Sequence, residues 1–262
     1  MTDIATARTL LFVPGTRPER FAKAAASGAD AVVLDLEDAV AAEDKAAART
    51  DVVAWLERGN AAVVRVNAAG TPWHDDDVRA VAGRASAVMV AKAERPDDLA
   101  AIAGPVIPLV ETATGVLDAR ALCAVPGVVR VALGHIDLAA ELGVAPDSRE
   151  ALLLSRSALV VASAASGRAG PVDGVTTAFG DHDALRSDLA HALGLGFTGK
   201  LCIHPGQVAP AHAAMAPGAD EVQWARGVLA AGASGSVAVY NGQMVDRPVL
   251  LRANGILRRA GG

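Results

Sequence analysis

The chain has 262 residues, 52% of them hydrophobic and only 20% charged, enough to bury one large core. Its net charge of −5 argues against a nucleic-acid binder, which would present a basic face. Two cysteines, Cys123 and Cys202, make no disulfide framework, and no apolar run free of charge or proline is long enough to span a bilayer.

The opening MTDIATARTLLFVPG carries acid and polar residues before a short apolar run and does not read as a signal peptide, so a cytoplasmic location is expected. From there two kinds of segment alternate. Short apolar runs read as buried parallel strands: TLLFV, AVVLD, AVVRV, AVMVA, VIPLV, VVRVAL and, more weakly, VDGVTTA and GKLCI. Between them lie Ala-rich stretches with charges at helical spacing, among them RPERFAKAAAS, EDKAAARTDVVAWLERG, HDDDVRAVAGR, RPDDLAAIA, DARALCAV and HDALRSDLAHALG. The stretch Ser148 to Ser166 reads as a helix with no strand of its own before it. Strand–helix alternation repeated about eight times predicts an α/β fold, a (β/α)8 TIM barrel. After His204 the pattern turns helical, and residues from roughly 206 to 262 are expected to form a C-terminal helical extension of one domain spanning 1–262.

In such a barrel the chemistry collects at the carboxyl ends of the strands. Glu111 and Asp137 each follow a run of apolar residues. Two carboxylates on neighbouring strand ends make a site for a hard cation such as Mg²⁺, which takes a few carboxylate oxygens and completes its shell with water and substrate oxygens. The plainer alternatives are a salt bridge or cap for Glu111 and an N-cap of the helix LAAEL for Asp137. Arg65 within VVRVN is expected to point into the barrel, where a guanidinium needs an anionic partner. Asp35, Glu37 and Asp38 put three acids in four residues, and some of them are expected to pair with Lys92, Arg65 or Arg17. Lys92 fits an ion pair better than a Schiff base, and His204 fits a packed, hydrogen-bonded role better than ligation.

The runs RTLLFVPGTRPERFAKAAASGADAVVLDLEDAV, VVRVN, VMVAKAE, PLVETATG, GHIDL, VDGVTTAFGDHDAL, GFTGKLCIHPGQV and GQMVDRPVL resemble, in this order and over nearly the whole chain, the citrate lyase beta-subunit-like family of acyl-CoA lyases. The resemblance implies a (β/α)8 barrel, an assembly of three or six identical subunits, and cleavage or formation of a carbon–carbon bond in a 3-hydroxyacyl-CoA thioester. It implies Mg²⁺ on Glu111 and Asp137, and Arg65 against the reacting oxygens. Asp246 becomes the first candidate for the acid/base, supplied by an adjacent subunit, with Asp38 the second. Arg17, Arg20 and Lys23 fall near the CoA arm, and Lys92 and Glu111 near the substrate. The chain departs from many relatives at Ile136, where they carry an acid; His135 precedes it. Three other readings stay open: a malyl-CoA-type thioesterase, a CoA-independent metal-dependent pyruvate aldolase, and a carrier-dependent subunit of a citrate lyase complex.

Overall fold

The computed structural model describes residues 3–233 and 238–261 and divides into two compact units, Met1–His212 and Ala213–Gly262. The first unit is a closed barrel of eight parallel strands in sequence order. They are β1 (Thr9–Pro14), β2 (Ala31–Asp35), β3 (Val63–Val66), β4 (Ala87–Val90), β5 (Val106–Val110), β6 (Ala132–Leu133), β7 (Val172–Asp173) and β8 (Gly199–Cys202). Pairing of β8 with β1, Leu10 opposite Leu201, closes the ring. Each strand coincides with one of the eight apolar runs, and between successive strands the chain turns helical, so the predicted (β/α)8 architecture holds.

Side chains alternate along a strand, so every second residue enters the barrel. The interior is filled by Leu10, Val33, Val63, Met89, Ile107, Leu109, Ala132 and Leu201, all 3% exposed or less. Continuing the same alternation toward the carboxyl ends brings the next layer inward, and there the residues turn polar. Asp35 follows Val33 on β2, Arg65 follows Val63 on β3, and Glu111 follows Leu109 just past β5. The parallel register pairs Asp35 with Arg65 directly across β2 and β3.

At the opposite rim Arg130, wholly buried, spreads its guanidinium over chain segments that lead into the strands. Nη1 donates to the carbonyls of Ala7 (2.6 Å) and Ile4 (3.3 Å), and Nη2 to the Gly170 carbonyl and Thr198 Oγ1, both at 2.8 Å. With no carboxylate on it, burial pushes the Arg130 pKa down to about 10.

The second unit, taken by itself, consists of the helix Ala219–Gly232 packed on the helix Arg247–Gly261, with a two-stranded hairpin between them, β9 (Ala238–Tyr240) and β10 (Gln243–Val245). The hairpin adds strand structure to a tail expected to be helical. Its turn is Asn241-Gly242, with φ of 48° and 75°. Both central residues then take the positive φ that a tight two-residue hairpin needs, which Asn and Gly tolerate best. Among the described residues no helix is long and apolar enough to cross a membrane.

Candidate active site

A cavity of ≈ 220 Å³ opens at the carboxyl ends of the strands, lined among others by Phe12, Asp38, Arg65, Glu111, His135 and Asp137. Seven of the eight strands, all but β4, supply its lining from their carboxyl ends or the chain just after them. The charged groups at its wall form one network in which five carboxylates face two cations.

Arg65 is the hub. Its Nε and Nη2 hold both oxygens of Asp35 at 2.7 Å, a bidentate pair set by the β2–β3 register. Its Nη1 reaches Glu37 at 3.0 Å and Asp38 at 3.6 Å, and the guanidinium lies 5.0 Å from the centre of the Phe12 ring. Burial alone would lower the Arg65 pKa, but Asp35 and the other acids more than offset it and keep the group charged.

Lys92 is the second cation. Its Nζ sits 2.6 Å from Glu37, 3.2 Å from Asp137, 3.7 Å from Asp38 and 4.0 Å from Glu111. Here too burial works to lower the pKa, while the hydrogen bond to Glu37 and the charges of Glu111, Glu37 and Asp38 raise it overall. An ammonium held this firmly is a poor imine-forming amine, in keeping with the ion-pair reading. The backbone of Lys92 is left-handed, φ 47°, unusual for a residue with a side chain. That conformation turns its N–H onto Glu111 Oε1 at 2.9 Å while the side chain reaches Glu37.

The loop after β2 is braced from below. The buried ammonium of Lys45 donates to the carbonyls of Leu36 and Glu37, both at 2.9 Å, and Asp35 accepts from the backbone N–H groups of Glu37 and Ala39. Glu37 and Asp38 are pushed in opposite directions. Burial pushes Glu37 up, but its hydrogen bond with Asp38 and the charges of Arg65 and Lys92 bring it below its ordinary value. Asp38 goes the other way: burial, then the hydrogen bond to Glu37 and that neighbour's charge, raise it to about 6.

Glu111 is 3% exposed and carries the strongest tension in the site. Burial raises its pKa to about 8, against the Lys92 N–H, Arg65 and Lys92, which all favour the charged form. Its room exists because residue 134 is glycine: a Cβ there would overlap the Glu111 carboxylate. Gly134→Ala is accordingly expected to displace the carboxylate and lower stability by about 1–3 kcal/mol. Chemical denaturation checks it, and an unchanged midpoint refutes the packing argument. Asp137 lies in the first turn of the helix His135–Leu142, which is capped by Gly134, so Asp137 is not the N-cap and its side chain turns to Lys92. His135 is buried, its Nδ1 has no hydrogen-bond partner among the described residues, and burial brings its pKa down to about 4, leaving a neutral ring.

The carboxylates outnumber the cations by three, Glu111 is desolvated, and both it and Asp137 flank the same Lys92 ammonium. That donor set fits a divalent hard cation. Among the described residues no three His, Cys, Asp or Glu side chains are arranged to hold a metal by themselves. Two protein carboxylates with the remaining positions open suit an ion that keeps water and takes substrate oxygens.

The other expected residues lie elsewhere. Arg17 is exposed and paired with Glu19 at 2.6 Å, and Arg20 stands 3.8 Å from the same carboxylate. His204 accepts from the Gly206 N–H at 3.0 Å and stacks on Phe179, a hydrogen-bonded role. Asp246 belongs to the second unit, exposed, where its Oδ1 caps the helix Arg247–Gly261 by accepting from the Val249 N–H at 3.1 Å. Sequence reasoning passed over Lys45; one lysine opening an amphipathic helix after three acids was the available signal.

Residues 8–205 match the family model of HpcH/HpaI aldolase/citrate lyase. A citrate lyase subunit beta-like protein of Mycobacterium tuberculosis is 41% identical over 260 residues, covering 96% of this chain and 94% of that protein. A (3S)-malyl-CoA thioesterase of Cereibacter sphaeroides is 36% identical over 270 residues, covering 97% and 94%. The solved structure of CitE from Mycobacterium tuberculosis in complex with magnesium, acetoacetate and coenzyme A aligns with a TM-score of 0.87 at 38% identity, covering 99% of this chain and 100% of that one.

Proposed function

This chain belongs to the HpcH/HpaI aldolase/citrate lyase family, and from that footing we propose that it is a Mg²⁺-dependent carbon–carbon lyase. Its substrate would be a 3-hydroxyacyl-CoA thioester of the malyl-, citramalyl- or citryl-CoA type, cleaved to an acyl-CoA such as acetyl-CoA and a 2-oxo acid. The observation that carries this is a desolvated carboxylate, Glu111, facing the same small cavity as Asp137 and Arg65. A relative solved with magnesium, acetoacetate and coenzyme A supports the choice of ion and of thioester. The cavity is smaller than typical drug-sized pockets, so it admits the acyl end and leaves the CoA arm outside.

Glu111 and Asp137 would hold the ion. When bound, it supplies Lewis-acid polarisation of substrate oxygens and lowers the pKa of a hydroxyl. Arg65, fixed by Asp35, offers positive charge to the oxygen that becomes a carbonyl, and because it is already oriented it stabilises the transition state without reorganising. A base takes the hydroxyl proton, the bond between the hydroxyl-bearing carbon and the thioester α-carbon breaks, and its electron pair passes into the thioester enolate, which then takes a proton. Asp246 from a neighbouring subunit of a trimer or hexamer and Asp38 are the two candidates for the base. Arg17 and Lys92 would bind substrate, Arg17 at the CoA arm.

Asp38 makes a pH prediction. A base acts deprotonated, so with a pKa of about 6 the rate is expected to fall as pH drops through that value. Asp38→Asn should lower the rate by about 10²–10⁴ and remove that limb; an unchanged acid limb in the variant would transfer the role to Asp246.

A second reading, hydrolysis of the thioester, is favoured by the thioesterase among the relatives. Incubation of the purified protein and Mg²⁺ with malyl-, citramalyl- and citryl-CoA, followed by mass spectrometry, separates the two. Acetyl-CoA with a 2-oxo acid is the expected result. Free CoA with intact hydroxy acid would replace the lyase by the thioesterase, and no turnover of any of the three would refute both.

A further inference from the structure

Beside the active-site cavity lies a second one of ≈ 290 Å³, bounded by the chain after β6, the chain after β7 and the two helices Leu153–Ala165 and His182–Leu195. His135, Ile136 and Val175 line both cavities and form the wall between them. Nothing in the proposed reaction uses this second space, yet its floor is built from ionic groups.

Asp173 on β7, 2% exposed, receives Lys200 Nζ on one oxygen at 2.8 Å and Arg156 Nε on the other at 3.3 Å. Two buried cations therefore share one carboxylate on the floor, while Asp147 and Asp188 stand elsewhere on the cavity wall. Arg156 is 7% exposed and the Asp173 contact is its only hydrogen bond; both its Nη groups are left without a partner among the described residues. These Nη groups are not sealed in the core but open onto the cavity, so their N–H bonds are available to an acceptor placed there. At the mouth stands a third cation, Arg149, which donates to Ser187 Oγ at 2.8 Å and lies 3.6 Å from Asp188. The Asp188 carboxylate is in turn engaged by Thr176 Oγ1 at 2.7 Å.

We infer that this second cavity is a binding site for a small, multiply charged oxyanion, a phosphate or a short dicarboxylate, held by the open face of Arg156 with Lys200 behind it and Arg149 at the entrance. A planar guanidinium presenting paired N–H groups matches the edge of a phosphate or carboxylate better than any other side chain. The volume sits at the lower bound for ligand pockets, which selects a small anion over a nucleotide-sized one. The inference stands apart from the proposed lyase reaction, since Arg149, Arg156 and Lys200 line the second cavity and not the first.

The test is calorimetric titration of the full chain in Mg²⁺-free buffer of constant ionic strength, with inorganic phosphate in one arm and malonate in the other. One saturable site for at least one anion is expected, and the arm that saturates identifies the source of the charge. Arg156→Gln should weaken that binding by about tenfold or more, the size of a charge-assisted hydrogen bond. Glu111→Gln, in the first cavity, should leave it unchanged. Circular dichroism establishes that Arg156→Gln is folded; if it is not, the exposed Arg149→Gln carries the same test at the mouth. Absence of saturation by either anion overturns the proposal. So does undiminished binding in the arginine variants, or loss of binding in Glu111→Gln, which would put the anion in the first cavity.

Discussion

Glu111→Ala is expected to abolish Mg²⁺-dependent turnover, a loss of at least about 10³ in kcat, while leaving the barrel folded. The carboxylate is nearly dehydrated, it occupies space kept open by Gly134, and Lys92 directs its backbone N–H at one oxygen. All of that orders a group whose burial opposes its charge, an arrangement that folding alone does not favour. The cost is visible as a pH effect. With a pKa of about 8 in the folded protein against 4.5 for the ordinary group, the unfolded chain releases this proton first. Between those two values the metal-free folded state therefore binds more protons than the unfolded one, and this residue's contribution to stability declines as pH rises. Glu111→Ala should remove that decline, so metal-free variant and wild type should diverge as pH rises from 5 toward 8, with the variant the more stable. Mg²⁺ should raise the melting temperature of the wild type and not of the variant. Calorimetry at several pH values reads all three effects. Full activity with an unaltered Mg²⁺ response would remove Glu111 from the site.

The second large effect is on folding. Arg65→Ala should lower the unfolding free energy by about 3–5 kcal/mol, because it leaves Asp35 and Glu37 buried without their main counter-charge. The bidentate pair to Asp35 joins β2 and β3 by side chains of opposite sign, and of its two cations Glu37 would retain Lys92. Urea denaturation measures it; a loss under about 1 kcal/mol would mean the acids find water or protons at little cost. Turnover should be lost as well, so the stability measurement is what separates a supporting role from a purely chemical one. Arg65→Lys should recover part of the stability and little of the rate, since an ammonium cannot reproduce two parallel N–H bonds.

The barrel was legible because a buried parallel strand has few ways to look other than a short β-branched run, and all eight runs are present. β6 and β7 shrink to two residues each, shorter than VVRVAL and VDGVTTA suggested. The helix read from Ser148 begins at Leu153, because the residues before it turn without forming a helix. The hairpin escaped because the tail was read for helical period, although VAVY-NG-QMV has the composition of one. At the site, strand-end position was enough to gather Asp38, Arg65, Lys92, Glu111 and Asp137, since alternation fixes which residues face inward. Partner choice was not legible: that Asp35 takes Arg65 depends on strand register, and the left-handed turn at Lys92 has no local signature. Arg156 stayed hidden for a different reason. A lone arginine in LLLSRSALVV reads as an interruption of a helix face, and only the packing reveals that its far end faces a hollow.

Arg130 bears on how such a protein changes over time. One side chain from the approach to β6 fastens the chain leading into β1, β7 and β8, across the seam where the ring closes. Rim integrity on that side owes nothing to the loops at the other end. Those loops are consequently free to drift, lengthen or exchange residues with the scaffold held fast underneath. Relatives that share 36–41% of their residues with this chain and bear the names of a lyase subunit and a thioesterase are what such freedom would produce. A clasp placed far from the chemistry, with Asp30 joining the entries to β1 and β2 at the same rim, is thus a source of evolvability: it lets selection rewrite specificity without first having to rescue the fold.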